Sequence, residues 1–577
     1  MSGDRSTQRL RRLLPVAEWL PRYDRSWLRG DLMAGIAVTA LIVPKNLGYA
    51  GIAGVPLENG LYAAAAGAII YALFCTSRQI STGPSSSLAA VAGGAVLLNK
   101  LAGQEAAQLV AAITLVTGVL FLLLALLRMG WIAQFLSKAV ITGFLAGAAI
   151  DVTIGELPKL TGTSSSGDSS WRELATWIQA LDGIHWATLL VGLVALGVIL
   201  GLRFAAPAVP GALVLVVGGL IASGLFDLGA HGVALVGDVP RGLPSPALPD
   251  WDLVRTHLST IGIASGALLL IGFSQTAGDA RAFATRHRYR IDVNQESVAQ
   301  GMANVGAGVF QGMPVSTSLS ASSLNESAGA RTPVASLVTG GLVLLTLIVL
   351  APLFSALPKA VLAAVIIDAV IFGMIDLGEI RRLRRVARFD FWIALAAIFA
   401  VLSAGVLAGV AIGVALSLGW LIYVATTPRM PVLGRQPGTQ SFRDLNDNPG
   451  DETFPGLEVL RLDSGLFFAT AEALDDRIRA LIRDGEPRLH ALVLDLEGVD
   501  FIDSQGSAKL AELNQVVQAD GVTLRLARVK PQVLAVLDAD GLVATFGADR
   551  VHGNVDQAIE AQLAEDARHG VPALSGA

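Results

Sequence analysis

The chain has 577 residues, 53% of them hydrophobic and 15% charged, with 42 Lys and Arg against 47 Asp and Glu for a formal charge of -5. Ordinary soluble domains carry about a quarter charged residues, so this composition excludes a wholly soluble protein, and the mildly acidic balance gives nucleic acid no footing. A single cysteine, Cys75, excludes an internal disulfide framework and a cysteine-built metal cluster.

Residues 1–30 are polar and basic, without the apolar stretch or small-residue cleavage site of a removable leader. Residues 31–427 are then almost continuously apolar. A helix needs roughly 20 apolar residues to cross a bilayer. Spans are expected near 31–55, 59–76, 81–99, 106–128, 131–157, 184–204, 207–226, 258–283, 293–312, 314–328, 332–354, 358–376, 390–405 and 408–427. Short cytoplasmic loops collect Lys and Arg. An inside N-terminus places Arg78, Arg128, Arg203, "RHRYR" (286–290), Arg331 and "RRLRRVAR" (381–388) in inner loops. The outer loops then hold only isolated Lys100, Lys159, Arg172, Arg241, Arg255 and Lys359. The expectation is a multi-pass cell-membrane protein (inner membrane in a bacterium) with both termini cytoplasmic.

The first span contains "LIVPKNLGYAGIAG", which sets Lys45 about 14 residues deep, too deep for its stem to reach an interface comfortably. A charge at the bilayer centre costs roughly 2.5–3.5 kcal/mol on insertion scales, so it usually faces a cavity and has a partner. The third and tenth spans, "QISTGPSSSLAAVAGGAVLL" and "GMPVSTSLSASSLNESAGA", are too polar and interrupted for lipid-facing helices. Each is the third span of its half if the chain divides seven plus seven, as repeats near 31–226 and 258–427. An odd number of spans per half gives the halves opposite topology, and broken segments at matching places point to a transporter's midplane site. Two half-helix N-termini meeting there present free amides and positive dipole ends, which favour an anion.

Residues 428–455 are rich in Pro, Gly and Asp and read as a linker. From 456 to 565, alternating strands ("GLEVLRL", "VTLRLARV"), a buried strand ("ALVLDL") and helices with Leu474, Ile478 and Leu481 on one face argue an α/β layer domain. Residues 566–577 read as a flexible tail.

The blocks "VPKNLGYAGIAGVPLENGLY", "SRQISTGPSSSLAAV", "ARAFATRHRYRIDVNQE", "GMPVSTSLSASSLNESAGARTPVASLVTG" and "LPKAVLAAVII" together resemble the SulP family of anion transporters. The tail, with "VLDLEGVDFIDSQGSAKLAEL", resembles its STAS domain. The resemblance covers nearly the whole chain in order. It implies an α-helical 7+7 inverted-repeat transporter of core and gate domains, usually dimeric, with a cytoplasmic α/β STAS domain, no cofactor, no metal and no catalysis. Family substrates include sulfate, bicarbonate, chloride, oxalate and dicarboxylates.

Carried over by position, the resemblance places the anion site at Lys45 and Tyr49, at Ser85 and Ser86, at Leu319, Ser320 and Ala321, and at Gln275. Three positions depart from the family pattern. Position 45 is commonly Gln, position 321 often Arg, and position 275 often acidic. Lys45 is therefore expected to supply the charge that Arg supplies in relatives, with Asp279 as its counter-ion in the empty site. Asp279, Asp368 and Asp151 are the candidates for coupling, with H+ ahead of Na+. An end-of-helix pairing of Asp279 with Arg281 or Arg286, and neutral burial of Asp368, stay open.

The loop Asp503, Ser504, Gln505, Gly506 resembles the STAS phospho-loop, whose phosphoacceptor position is Gln505 here. Ser504 is expected to cap a helix from Ser507. Among substrates, sulfate ranks ahead of bicarbonate and then a C4-dicarboxylate, because a dianion gains more from an ammonium in a low-dielectric pocket. A membrane anion sensor signalling through the soluble domain and a nucleobase transporter of the same architecture are the rival readings. The seven scattered histidines show no metal-ligand spacing.

Overall fold

Each of the fourteen stretches expected to cross the bilayer contains a helix in the computed structural model, which describes residues 14–128, 137–167, 169–206, 209–237, 242–485 and 487–569. Outside those residues lie 1–13 of the N-terminal segment, 131–136 and 207–208 at the starts of the fifth and seventh spans, Arg241, and 570–577 of the tail. The helices are α1 (Leu28–Ala53), α2 (Leu57–Phe74), α3 (Ser86–Leu98), α4 (Gly103–Leu126), α5 (Lys138–Thr161), α6 (Trp186–Ala205) and α7 (Gly211–Phe226) in the first half. The second half holds α8 (Leu258–Arg286), α9 (Val293–Val309), α10 (Leu319–Ser327), α11 (Val334–Val349), α12 (Lys359–Met374), α13 (Arg388–Ala404) and α14 (Val406–Thr426). Among the described residues, eight helical segments are long and apolar enough to cross a membrane, and α3, α7 and α11 are shorter apolar helices.

The helices pack in two groups. Helices α1–α4 interleave with α8–α11, while α5–α7 pack with α12 and α13, and α14 approaches α5 and α13 at Gly413. The groups meet where α1 touches α7 and α12 and where α3 touches α5 and α12. Small residues set these contacts: a Cβ on Gly118 of α4 would lie 2.6 Å from the Val305 amide of α9, and one on Gly143 of α5 would lie 2.2 Å from the Ala394 carbonyl of α13. Close backbone approach of this kind is how helices associate where the surroundings are as apolar as the side chains.

The third and tenth spans depart from simple helices. Residues Thr82–Pro84 form strand β1 and Val315–Thr317 form β2, which pair antiparallel with Thr82 opposite Thr317 and Pro84 opposite Val315. Each strand runs directly into a helix, α3 or α10, so the antiparallel pair sends the two helices in opposite directions from the middle of the fold.

The chain divides into two compact units, Met1–Ser417 and Leu418–Ala577. In the second, β5 (Leu457–Arg461), β6 (Ala491–Asp495), β7 (Thr523–Ala527) and β8 (Val551–His552) make one parallel sheet in sequence order. Leu460, Leu492, Leu494, Leu524 and Leu526 bury one face against helices α15 (Ala471–Asp484), α16 (Ser504–Ala519) and α17 (Pro531–Ala539). Val459, Ala491 and Val493 bury the other against α18 (Val555–His569). Strand β6 is buried along its whole length, as its unbroken apolar run requires.

Two expectations change here. The stretch read as a linker contains an antiparallel hairpin, β3 (Leu433–Arg435) with β4 (Phe442–Asp444), because Leu433 is buried in the soluble core and Gly438, at φ +74°, supplies the turn. Helix α16 starts at Ser504 rather than Ser507, and its cap is Asp503, whose Oδ1 accepts the Gly506 amide at 2.7 Å. The acidic residue one place earlier takes the capping role expected of Ser504. Gly506 has no room for a side chain, since a Cβ would lie 2.3 Å from the Leu466 carbonyl.

Candidate anion-binding site

The two broken spans end in matching capped turns. Ser85 Oγ accepts the Leu88 amide at 3.4 Å and lies 3.1 Å from Ser87 Oγ. Ser318 Oγ accepts the Ala321 amide at 3.4 Å and lies 3.3 Å from Ser320 Oγ. The strands hold the turns together: the Ser318 amide donates to the Ser81 carbonyl at 3.0 Å, and the Ser81 amide to Ser322 Oγ at 2.9 Å. Each cap satisfies only part of its helix's first turn, so amides at the starts of α3 and α10 remain for a ligand.

A cavity of about 550 Å³ opens between these starts, lined by Lys45, Tyr49, Ser85, Ser86, Gln275, Asp279, Leu319 and Ser320. Lys45, Tyr49, Ser320 and Ala321 also line a small recess of about 20 Å³ beside β1 and β2. Ala321 is buried there with its amide already taken by Ser318, so the free amides of α10 lie one and two residues earlier. Pro44, inside α1, interrupts that helix's hydrogen-bond ladder one residue before Lys45. Gln275 Nε2 donates to Ser87 Oγ at 3.0 Å, tying α8 to the start of α3. Among the described residues, the buried Asn46 Nδ2 and Thr82 Oγ1, both on residues lining the recess, have no hydrogen-bond partner.

The carboxylates fall differently from the expectation. Asp279 accepts a bond from Thr317 Oγ1 at 2.8 Å, and no ion pair joins it to Lys45 among the described residues. Thr317 lies beside it because β2, which leads into α10, packs against α8. The pairing of Asp279 with Arg286 is also replaced: Arg286 Nη1 donates to Glu326 at 2.6 Å. Asp368 is partnered, by Arg203: Nε donates to Oδ1 at 2.7 Å and Nη2 to Oδ2 at 2.6 Å. Arg203 is no loop residue but sits in the last turn of α6, with its Cζ 4.3 Å from the centre of the Phe372 ring. Arg203, Asp368 and Lys45 together line a second cavity of about 440 Å³. Asp151 is apart from all of this, accepting a bond from Ser170 at the start of the helix Ser170–Gln179.

Two carboxylates that sequence reasoning passed over clasp one half to the other. Glu296, buried in the first turn of α9, accepts the Thr76 and Ser77 amides at 2.8 Å each, Thr76 Oγ1 at 2.5 Å, Ser77 Oγ at 3.1 Å, and Tyr71 OH. Asp31, buried in the first turn of α1, accepts the Arg331 amide at 2.8 Å, the Thr332 amide at 3.2 Å, Thr332 Oγ1 at 2.7 Å and Tyr23 OH at 3.2 Å. Their signal was an acidic residue in the first turn of an otherwise apolar span. The arrangement as a whole offers amide, hydroxyl and cationic groups to an anion.

Comparison with known proteins agrees in kind. The profile of the sulfate permease family matches residues 28–397, and that of the STAS domain matches residues 448–558. A probable sulfate transporter of Mycobacterium tuberculosis is 35% identical over 555 residues, covering 94% of this chain and 98% of its own length. High affinity sulfate transporter 2 of Stylosanthes hamata is 30% identical over 575 residues, covering 95% and 86%. The fold is shared with the solved structure of SLC26A9, at a TM-score of 0.87 and 22% identity over 99% of this chain and 96% of that one. It is also shared with the transmembrane domain of the cyanobacterial bicarbonate transporter BicA, at 0.59 and 22% over 69% and 99%.

Proposed function

This chain belongs to the sulfate permease family, and from that premise we propose that it is a secondary active transporter that takes up sulfate, holding the anion between the N-termini of α3 and α10. The observation that carries the reading is the pair of matching capped helix starts lining one cavity with Lys45. Helix N-termini favour anions through unpaired amides and aligned peptide dipoles, and the Lys45 ammonium adds a full charge where lipid would make it costly. Residues 31–427 form the transporter of this reading and 456–565 a regulatory STAS domain, in a homodimer with both termini cytoplasmic, an orientation supported by the Lys and Arg bias of the loops. Proton symport is the coupling favoured by a carboxylate, Asp279, lining the same cavity; exchange is the alternative.

The test is uptake of labelled sulfate into proteoliposomes, wild type beside Lys45→Gln, with bicarbonate and succinate as competitors and with or without an inward proton gradient. Saturable uptake that falls in the variant and rises with the gradient is the expected result. Preferential block by bicarbonate reassigns the substrate. Absence of uptake of any anion favours a sensor.

A further inference from the structure

Lys45 and Arg203 are the two cations common to the 440 Å³ and 550 Å³ cavities. They stand on opposite sides, Lys45 on α1 of the first helix group and Arg203 on α6 of the second. Asp368 holds the Nε edge of Arg203 bidentately, and the Phe372 ring lies beneath its plane. A guanidinium has five N–H donors, and Asp368 occupies two, so the remaining three have no protein partner among the described residues. The side chain of Arg203 keeps 36% of its surface exposed while that of Asp368 keeps 9%, a lopsided pair in which the carboxylate is covered and the cation is presented.

We propose that Arg203 is the second cation of the anion site and sets its preference for a dianion, with Asp368 and Phe372 as the groups that hold its guanidinium in position. The inference rests on the transport reading above and deepens it. Coulomb attraction scales with the product of the charges, so each added cation favours a dianion over a monoanion of similar size. Two cations presented from separate helix groups suit a tetrahedral dianion with four acceptor oxygens better than planar bicarbonate with one charge. The carboxylates facing the cavities, Asp279 and Asp368, are already hydrogen-bonded, to Thr317 and Arg203.

The test compares labelled sulfate with labelled bicarbonate uptake in proteoliposomes for wild type, Arg203→Gln, Asp368→Asn and the double variant. The expected readout is the ratio of the two efficiencies. It falls by about tenfold or more in Arg203→Gln, the loss of one charge-assisted contact, and stays low in the double variant, which leaves no buried charge unpaired. In Asp368→Asn, which keeps the guanidinium, sulfate stays preferred. A pair that is merely structural gives the opposite pattern: both anions fall together in the single variants, the ratio holds, and the double variant recovers, which overturns the proposal. A wild type that moves neither anion overturns the transport reading itself, and this inference with it.

Discussion

Helices α1 and α8 hold equivalent places in the two halves, and each turns two polar side chains, one helical turn apart, into the same cavity: Lys45 and Tyr49 from the first, Gln275 and Asp279 from the second. The helix starts beside them are nearly identical, with Ser85 and Ser318 each accepting an amide three residues on at 3.4 Å. The hydrogen-bonded framework thus repeats across the halves, while the charge does not, being cationic on α1 and acidic on α8. The capping serines, the paired strands and the clasping carboxylates satisfy backbone that lipid cannot, and that demand is the same in both halves. On the proposed reading the charges answer to the ligand rather than to the backbone, so they are free to differ. Departure from internal symmetry is accordingly where the chemistry of this fold is to be sought.

The clasps give the largest expected effect. Glu296 receives five hydrogen bonds from the other half, and Asp31 receives three from the other half and a fourth from Tyr23. Glu296→Ala strands buried amides and hydroxyls, and the expected cost is about 3–5 kcal/mol, since each buried group left unsatisfied costs about 1–3 kcal/mol before relaxation. Asp31→Ala costs less. Thermal unfolding of the purified protein checks the order, and a Glu296→Ala protein as stable as wild type breaks the idea of reciprocal clasps.

The charge difference comes next. Lys45→Gln removes the cation of α1 and is expected to lower sulfate kcat/KM by tenfold to a hundredfold, the value of a charged contact of roughly 1.5–3 kcal/mol. Asp279→Asn removes the acid of α8 and should leave sulfate KM near wild type while abolishing stimulation by a proton gradient. Equal losses of affinity in both variants would mean that the two halves share one role.

What could be read from the sequence follows the same division. Most of the fourteen spans were visible as apolar stretches because each repeats a local signal about 20 residues long, and the two broken spans were visible because Pro and Ser clusters recur at matching places. The gathering of Lys45, Tyr49, Ser85, Gln275 and Ser320 around one cavity came with the family resemblance. The pairing of Arg203 with Asp368 could not be read, since 165 residues separate them and a charge near a span's end looks like a loop charge. Asp279 was assigned to Lys45 for want of any view of Thr317, which only the β1–β2 pairing brings beside α8. The start of α16 was misplaced by three residues because Asp503 and Ser504 are both good caps and periodicity does not choose between them.

The smallest effect is the most direct probe of the symmetry. Ser85→Ala and Ser318→Ala each remove one cap, at a typical cost of about 1 kcal/mol. Each also frees an amide, that of Leu88 or of Ala321. If the helix starts are equivalent supports, both variants lower the melting temperature by similar amounts. Their effects on sulfate KM need not match, because the start of α3 is tied to Gln275 of α8 through Ser87, inside the helix, while the tie beside α10, from Thr317 to Asp279, precedes its cap. Ser85→Ala removes the Ser85 hydroxyl that lies 3.1 Å from Ser87 and so loosens the contact with Gln275. The larger rise in KM is therefore expected for Ser85→Ala. A larger rise for Ser318→Ala would put the dominant anion contact on α10.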